Sequence, residues 1–156
     1  MSKLPLILAS IAAIGVAGAA LAGSHGGNPA VKARQAHMSL YGHNLGVIGA
    51  MAKGEAEYNA EAAMAAANNI VSLVGMSQMS YWPAGSDNGA LGDETRALPK
   101  IWEEFPSVME KVGAVKAAAD NLAAVAGNGQ EALGPALGPL GGACTECHKA
   151  YRAPRN

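Results

Sequence analysis

The chain has 156 residues, enough for one domain of ordinary size with a real core. Half of them are hydrophobic, only 4% are aromatic, and the formal net charge is −1. Near-neutrality without a basic stripe argues against nucleic-acid binding, and the scarcity of runs rich in Val, Ile, Thr, Tyr and Phe argues against a sheet. Abundant alanine and glycine favour helices packed closely through small residues.

Met1-Ser2-Lys3, the apolar run Leu4 to Leu21 and the small-residue site Ala20-Leu21-Ala22 form a secretory signal peptide over residues 1–22. The run is nearly long enough to be an uncleaved anchor, but the cleavage site stands where a peptidase requires it. A mature chain of residues 23–156 then carries ten basic against twelve acidic residues, a net charge of −2. It is exported and free of the membrane after cleavage.

A first helix runs from about Ala30 to Lys53, with Arg34, Met38, Tyr41, Leu45, Ile48 and Ala52 on one face. Gly54 ends it. A second runs from about Asn59 to Ser77, with Ala63, Ala66, Ile70, Leu73 and Met76 or Ser77 inward. The segment from Met79 to Leu98 holds the turn signals Pro83-Ala84-Gly85 and Asp87-Asn88-Gly89 and is long for a bundle connection. A third helix opens at Pro99 and carries Ile101, Phe105, Val108, Val112, Val115, Ala119, Leu122 and Ala126, with a kink or restart at Pro106. Gly127-Asn128-Gly129 closes it. The last helix covers Cys144 to Arg152; Pro135 and Pro139, each after a glycine, weaken its first half.

The fold this implies is all-α: an antiparallel up-down-up-down four-helix bundle. In that topology the start of the first helix, the middle loop around Trp82 and the end of the last helix meet at one end.

The most informative residues are Cys144-Thr145-Glu146-Cys147-His148. Two thiols and an imidazole at this spacing are the attachment signature of a c-type haem. Positions i, i+3 and i+4 share one helix face, so all three address one flat ligand. A redox disulfide would adjoin a strand–helix–strand unit, which is absent. A structural zinc site needs about four protein ligands, and three are present. One haem c per chain, covalent through Cys144 and Cys147, is therefore expected at one end of the bundle, with His148 as proximal iron ligand.

Met38 falls on the inward face near that end. Its thioether either ligates the iron from the distal side or packs there and leaves the iron five-coordinate. Arg34 lies one turn earlier, where haem propionates would satisfy its charge unless it snorkels. Gln35 can donate to a propionate, and Arg152 to a propionate or to the imidazole region. Trp82 and Tyr81 suit packing on porphyrin. His25 lies in the lead-in before the first helix, His37 and His43 fall off its inward stripe, and all three are assigned to the surface.

These residues resemble the class II c-type cytochromes, the cytochrome c′ group, over essentially the whole mature chain. The resemblance rests on Gly141-Gly142-Ala143-Cys144-Thr145-Glu146-Cys147-His148-Lys149-Ala150-Tyr151-Arg152, on Arg34-Gln35 with Met38, on Gly49-Ala50-Met51-Ala52-Lys53-Gly54-Glu55, and on Pro83-Ala84-Gly85-Ser86 with Ile101-Trp102. It implies a four-helix bundle, often dimeric, with covalent haem in the bacterial periplasm. It also implies that Asp93, Thr95 and Arg96 lie in the loop facing the haem, and that Met38 occupies the position where low-spin relatives place a ligand and high-spin relatives a blocking side chain.

Two functions follow. One is a monohaem electron carrier with His148 and Met38 as axial ligands. The alternative is a five-coordinate protein that binds NO or CO. An enzyme has little support, since no distal acid–base pair adjoins Met38 and His37 points about 100° away. The expected partners are redox proteins or diatomic gases, and a small-residue face on the first two helices permits a homodimer.

Overall fold

The computed structural model describes residues 27–155; the segment expected to be a signal peptide and His25 lie outside them. In chain order the helices are α1 (Pro29–Ala52), α2 (Ala60–Gly75), the one-turn α3 (Asn88–Leu91) and α4 (Lys100–Glu103), then α5 (Phe105–Val125) and α6 (Gln130–Tyr151). The described residues form no strand, only one antiparallel bridge between Ala97 and Arg152. None of their helices is long and apolar enough to cross a membrane.

Local chemistry sets the helix limits. Asn28 caps α1 by accepting from Ala30 N (2.9 Å) and Val31 N (3.3 Å), with Pro29 in the first turn. Gly54, at φ +73°, reverses the chain after Lys53. Asn59 caps α2 by accepting from Ala62 N at 2.8 Å. At Pro106 the helix restarts, as its sequence predicts: α4 ends at Glu103, Glu104 leaves helical geometry, and α5 begins at Phe105.

The last helix departs from its sequence. It starts at Gln130 and passes through both Pro135 and Pro139. These prolines stand four residues apart on one exposed face, while Leu133, Ala136 and Leu140 face the core. The carbonyls that lose their donors are therefore on the solvent side, where water can satisfy them. Gly134 and Gly138 bring no Cβ to clash with the proline rings.

The long helices form a ring: α1 packs on α2 and α6, and α5 packs on α2 and α6. Short turns join α1 to α2 and α5 to α6, so these neighbours run antiparallel. Both turns lie at one end, clasped by Tyr58, whose hydroxyl donates to Ala126 O (2.9 Å) and accepts from Gly129 N (3.0 Å). The core between them comprises Ile48, Met51, Ala63, Ala66, Ala67, Ile70, Val74, Ala119, Leu122, Ala126, Leu133, Ala136 and Leu140. So many alanines let the backbones approach closely.

Three inward assignments need correcting. The buried face of α1 is Val31, Arg34, His37, Asn44, Ile48 and Met51, turned towards α2 from the expected stripe. Met38 is 43% exposed, and His37, assigned to the surface, is only 4% exposed. Met76 is 48% exposed because α2 ends at Gly75 and the chain turns extended there. Phe105 is 46% exposed, because the restart before Pro106 changes the phase of the stripe.

Candidate haem-binding site

The start of α1, the loop between α2 and α5 and the end of α6 meet opposite the Tyr58 clasp. Backbone pairing joins the last two: Leu98 N donates to Tyr151 O (3.0 Å), and Ala153 N to Arg96 O (2.8 Å). Arg34 joins the first two. Its Nη1 donates to Ser86 Oγ (2.7 Å) and Tyr81 O (3.2 Å), and its Nη2 to Ser86 O (2.6 Å) and Thr95 Oγ1 (3.3 Å). The guanidinium carbon lies 4.6 Å from the Trp82 ring centroid. At 5% exposure Arg34 does not snorkel. Burial lowers its pKa and the charge of Asp87 partly opposes this, yet an arginine stays charged at any ordinary pH.

The neighbouring side chains are held by bonds to the backbone. Trp102 Nε1 donates to Trp82 O at 3.0 Å, with the two indoles edge to face at 6.0 Å. Thr95 Oγ1 also accepts from Ala97 N at 3.1 Å. Gln35 Nε2 donates to Glu94 O at 2.9 Å, on an exposed edge. Arg96 grips Ala153 O through Nε (2.7 Å) and Nη2. Arg152 is exposed.

On α6, Cys144 and Cys147 are free thiols, half-buried, on the face that carries His148. Burial pushes the Cys144 thiol pKa up and Cys147 raises it further. Burial also raises that of Cys147, against Lys111 and Arg152. For His148, burial and then the positive Arg152 and Arg96 all lower the pKa. The neutral imidazole, the form that binds a metal, is thereby favoured. Two unpaired thiols and a neutral imidazole on one face suit covalent haem c.

The register of α1 against α6 fixes what stands opposite. Leu137 Cδ2 lies 3.9 Å from where a Gly49 Cβ would be. Near Cys144, Tyr41 has its pKa pushed up to about 12, first by burial and then by the thiol. Stepping back along α1 while stepping forward along α6 brings Met38 level with Cys147 and His148. Met38 also precedes Gly49 by about three helical turns and so shares its α6-facing flank.

Sequence reasoning missed His37 and Ser86. The His37 ring stands 5.1 Å from Tyr41 and 5.9 Å from Tyr81, and its buried Nε2 has no hydrogen-bond partner among the described residues. Burial lowers its pKa, opposed by the Leu73 backbone. The signal was available, since His37 is three residues after Arg34 and four before Tyr41. Ser86, 1% exposed, accepts from Arg34 and donates from Oγ to Pro83 O at 2.7 Å. Nothing in a turn sequence marks such a serine. His43 is exposed, as expected.

The family profile described as Cytochrome C' matches residues 29–152. Cytochrome c-554 from Cereibacter sphaeroides is 37% identical over 122 residues, 78% of this chain and 79% of that protein. A solved cytochrome c' described as from Rhodobacter Spheriodes is 34% identical with a TM-score of 0.77, covering 81% of this chain and 96% of that one. A solved nitric oxide complex of a variant cytochrome c prime from Alcaligenes xylosoxidans is 28% identical with a TM-score of 0.69, covering 81% and 94%. With this match and this bundle, the chain belongs to the cytochrome c′ family of class II c-type cytochromes, which bind haem c covalently.

Proposed function

We propose that this protein is a periplasmic one-electron carrier, its haem attached through Cys144 and Cys147 and ligated by His148 and Met38. Haem iron, when bound, cycles between ferrous and ferric states and so carries the electron. The observation that carries the reading is Met38 itself, level with His148 on the flank of α1 that faces α6. Its thioether sulfur is a soft ligand that raises the iron's potential. The charges of Arg152 and Arg96 beside His148 favour the ferrous form as well. The export reading of residues 1–22 supports the periplasmic location.

A second reading, gas binding at a five-coordinate iron, draws support from the nitric oxide complex of the Alcaligenes xylosoxidans relative. The partners would then be diatomic gases instead of redox proteins. Either way, Gly42 and Gly46, with open space above them, and the exposed Leu40 and Met64 leave surface on α1 and α2 for a homodimer.

Absorption spectra of the ferric and ferrous protein separate the readings. Ligation by Met38 predicts low-spin bands and a far-red sulfur-to-iron charge-transfer band, both lost in Met38→Ala. High-spin spectra that this substitution leaves unchanged would establish the five-coordinate reading.

A further inference from the structure

The residues just after the cleavage site have no part in the haem chemistry. On the export reading, cleavage after Ala22 exposes a new amino terminus, and the mature chain begins Gly23-Ser24-His25. These three residues carry a free α-amine, two backbone amide nitrogens and an imidazole. Histidine in third place closes them into three fused chelate rings, through Nδ1 of its own ring. The four nitrogens then lie in one plane around a bound ion, the square-planar field that copper(II) and nickel(II) prefer. Residue 24 must supply an amide proton to lose, which serine has and proline would lack.

We propose that Gly23, Ser24 and His25 form a binding site for copper(II) at the mature amino terminus, with nickel(II) as the next best occupant. The site rests on the export reading of residues 1–22 and not on ligation by Met38. Binding makes four metal–nitrogen bonds. Two amide protons pass to solvent, with the ammonium proton where the terminus still carries it. The two amide anions balance the charge of the ion, and no electron is transferred. Copper(II) stands at the top of the affinity order for nitrogen donors. Zinc(II) prefers a tetrahedral set and does not displace amide protons. Among the described residues no group of three or more His, Cys, Asp or Glu side chains could hold a metal ion. His43 is exposed and His37 buried, each without two further ligands beside it. Cys144, Cys147 and His148 are committed to the haem, so none of these competes for the ion.

The fold confines the ion to one end of the bundle. Asn28 anchors the entry to α1: its backbone N donates to Glu94 Oε2 at 2.8 Å, and its Oδ1 caps the helix. Gly27 turns at φ +63°, and a Cβ there would meet Glu94 Oε2 at 3.3 Å. A cleft lined by Asn28, Val31, Lys32, Gln35 and Glu94 opens beside it. Gly23 precedes Gly27 by four residues, a reach of at most about 14 Å. The ion therefore stays near the haem-binding end. The far end of α1 is about 36 Å away, the length of its 24 residues.

The test uses the mature holoprotein, the terminus of each sample read by intact mass. Copper(II) and nickel(II) are titrated separately, with zinc(II) as the contrast. One equivalent of copper should bind with the axial EPR signal of four nitrogen donors. Calorimetry in two buffers should show at least two protons released per copper, and no such release with zinc. His25→Ala and Ser24→Pro should each abolish the site, the second without touching the imidazole, whereas Ser24→Ala should retain it. All three positions precede α1, and the haem spectrum checks that each variant is folded. Measured against the diamagnetic nickel form, copper should broaden NMR resonances of Asn28, Lys32, Gln35 and Glu94 and spare Gly54 and Tyr58. A different amino terminus would overturn the export boundary and the copper site together. The expected terminus with no copper signal, with binding that survives Ser24→Pro, or with broadening located elsewhere would overturn the copper site alone.

Discussion

Replacing Arg34 with alanine removes the side chain that ties α1 to the loop before α5. Ser86 O, Ser86 Oγ, Thr95 Oγ1 and Tyr81 O all lose a charged donor. At a net contribution of about 1 kcal/mol for each bond, the loss is about 4 kcal/mol. The stacking on Trp82 adds about 1 kcal/mol. Relief of the buried guanidinium's desolvation returns about 2 kcal/mol. The expected destabilisation is therefore about 3 kcal/mol, or a melting temperature lower by about 10 °C for a chain of this size. Arg34→Lys keeps a charge but not the fork geometry and should cost about half as much. Urea denaturation of holoprotein with equal haem content measures both, and hydrogen exchange at residues 81–95 locates the effect. A loss under about 1 kcal/mol, or exchange in this loop left as slow as before, would refute the anchoring role.

Two other perturbations probe the bundle. Tyr58→Phe deletes the hydroxyl that bridges Ala126 O and Gly129 N, and should cost about 2 kcal/mol in denaturant titration with the haem spectrum unchanged. Tyr41, whose pKa is pushed up to about 12 in the fold, favours the folded state only while it keeps its proton. In the unfolded chain it ionises near ~10, so stability present below that pH should fall as pH rises from ~10 towards ~12. Tyr41→Phe should flatten that part of the pH–stability curve; an unchanged slope would exclude the tyrosine.

What the sequence makes legible depends on how far apart the deciding residues stand. The attachment motif lies within five consecutive residues, and its chemistry needs no partner to be read. Convergence at one end follows from two short turns, which force antiparallel neighbours. The burial of Asn44 does not follow from α1 alone: its Oδ1 accepts from Asn69 Nδ2 of α2 at 3.0 Å, so each polar side chain makes the other tolerable. A search for an apolar stripe passes over Asn44 and His37 alike, and so turns the helix too far towards α6. Pro135 and Pro139 mislead for the complementary reason. Their local cost is real, but their four-residue spacing lays it on the solvent side. The middle loop is recognisable by its length, whereas its buried Ser86 is paired with an arginine 52 residues away.

The two ends of the bundle are held by different physics. The apolar core occupies the middle and the Tyr58 end, from Ile48, Ala63, Ala126 and Leu133 to Val74 and Leu140. Beyond it, towards the haem-binding end, the packing changes to Arg34, His37, Tyr41, Tyr81, Trp82, Ser86 and Thr95, aromatic rings and directed hydrogen bonds. Apolar burial is non-directional and stabilises the fold wherever it occurs. Oriented donors and rings can instead fix positions around a flat prosthetic group. The core therefore determines whether the bundle folds, while the polar end determines where the loop and α1 stand relative to Cys144, Cys147 and His148. Substitutions in the two regions should separate accordingly, those in the core acting on stability and those at the polar end acting also on the haem spectrum.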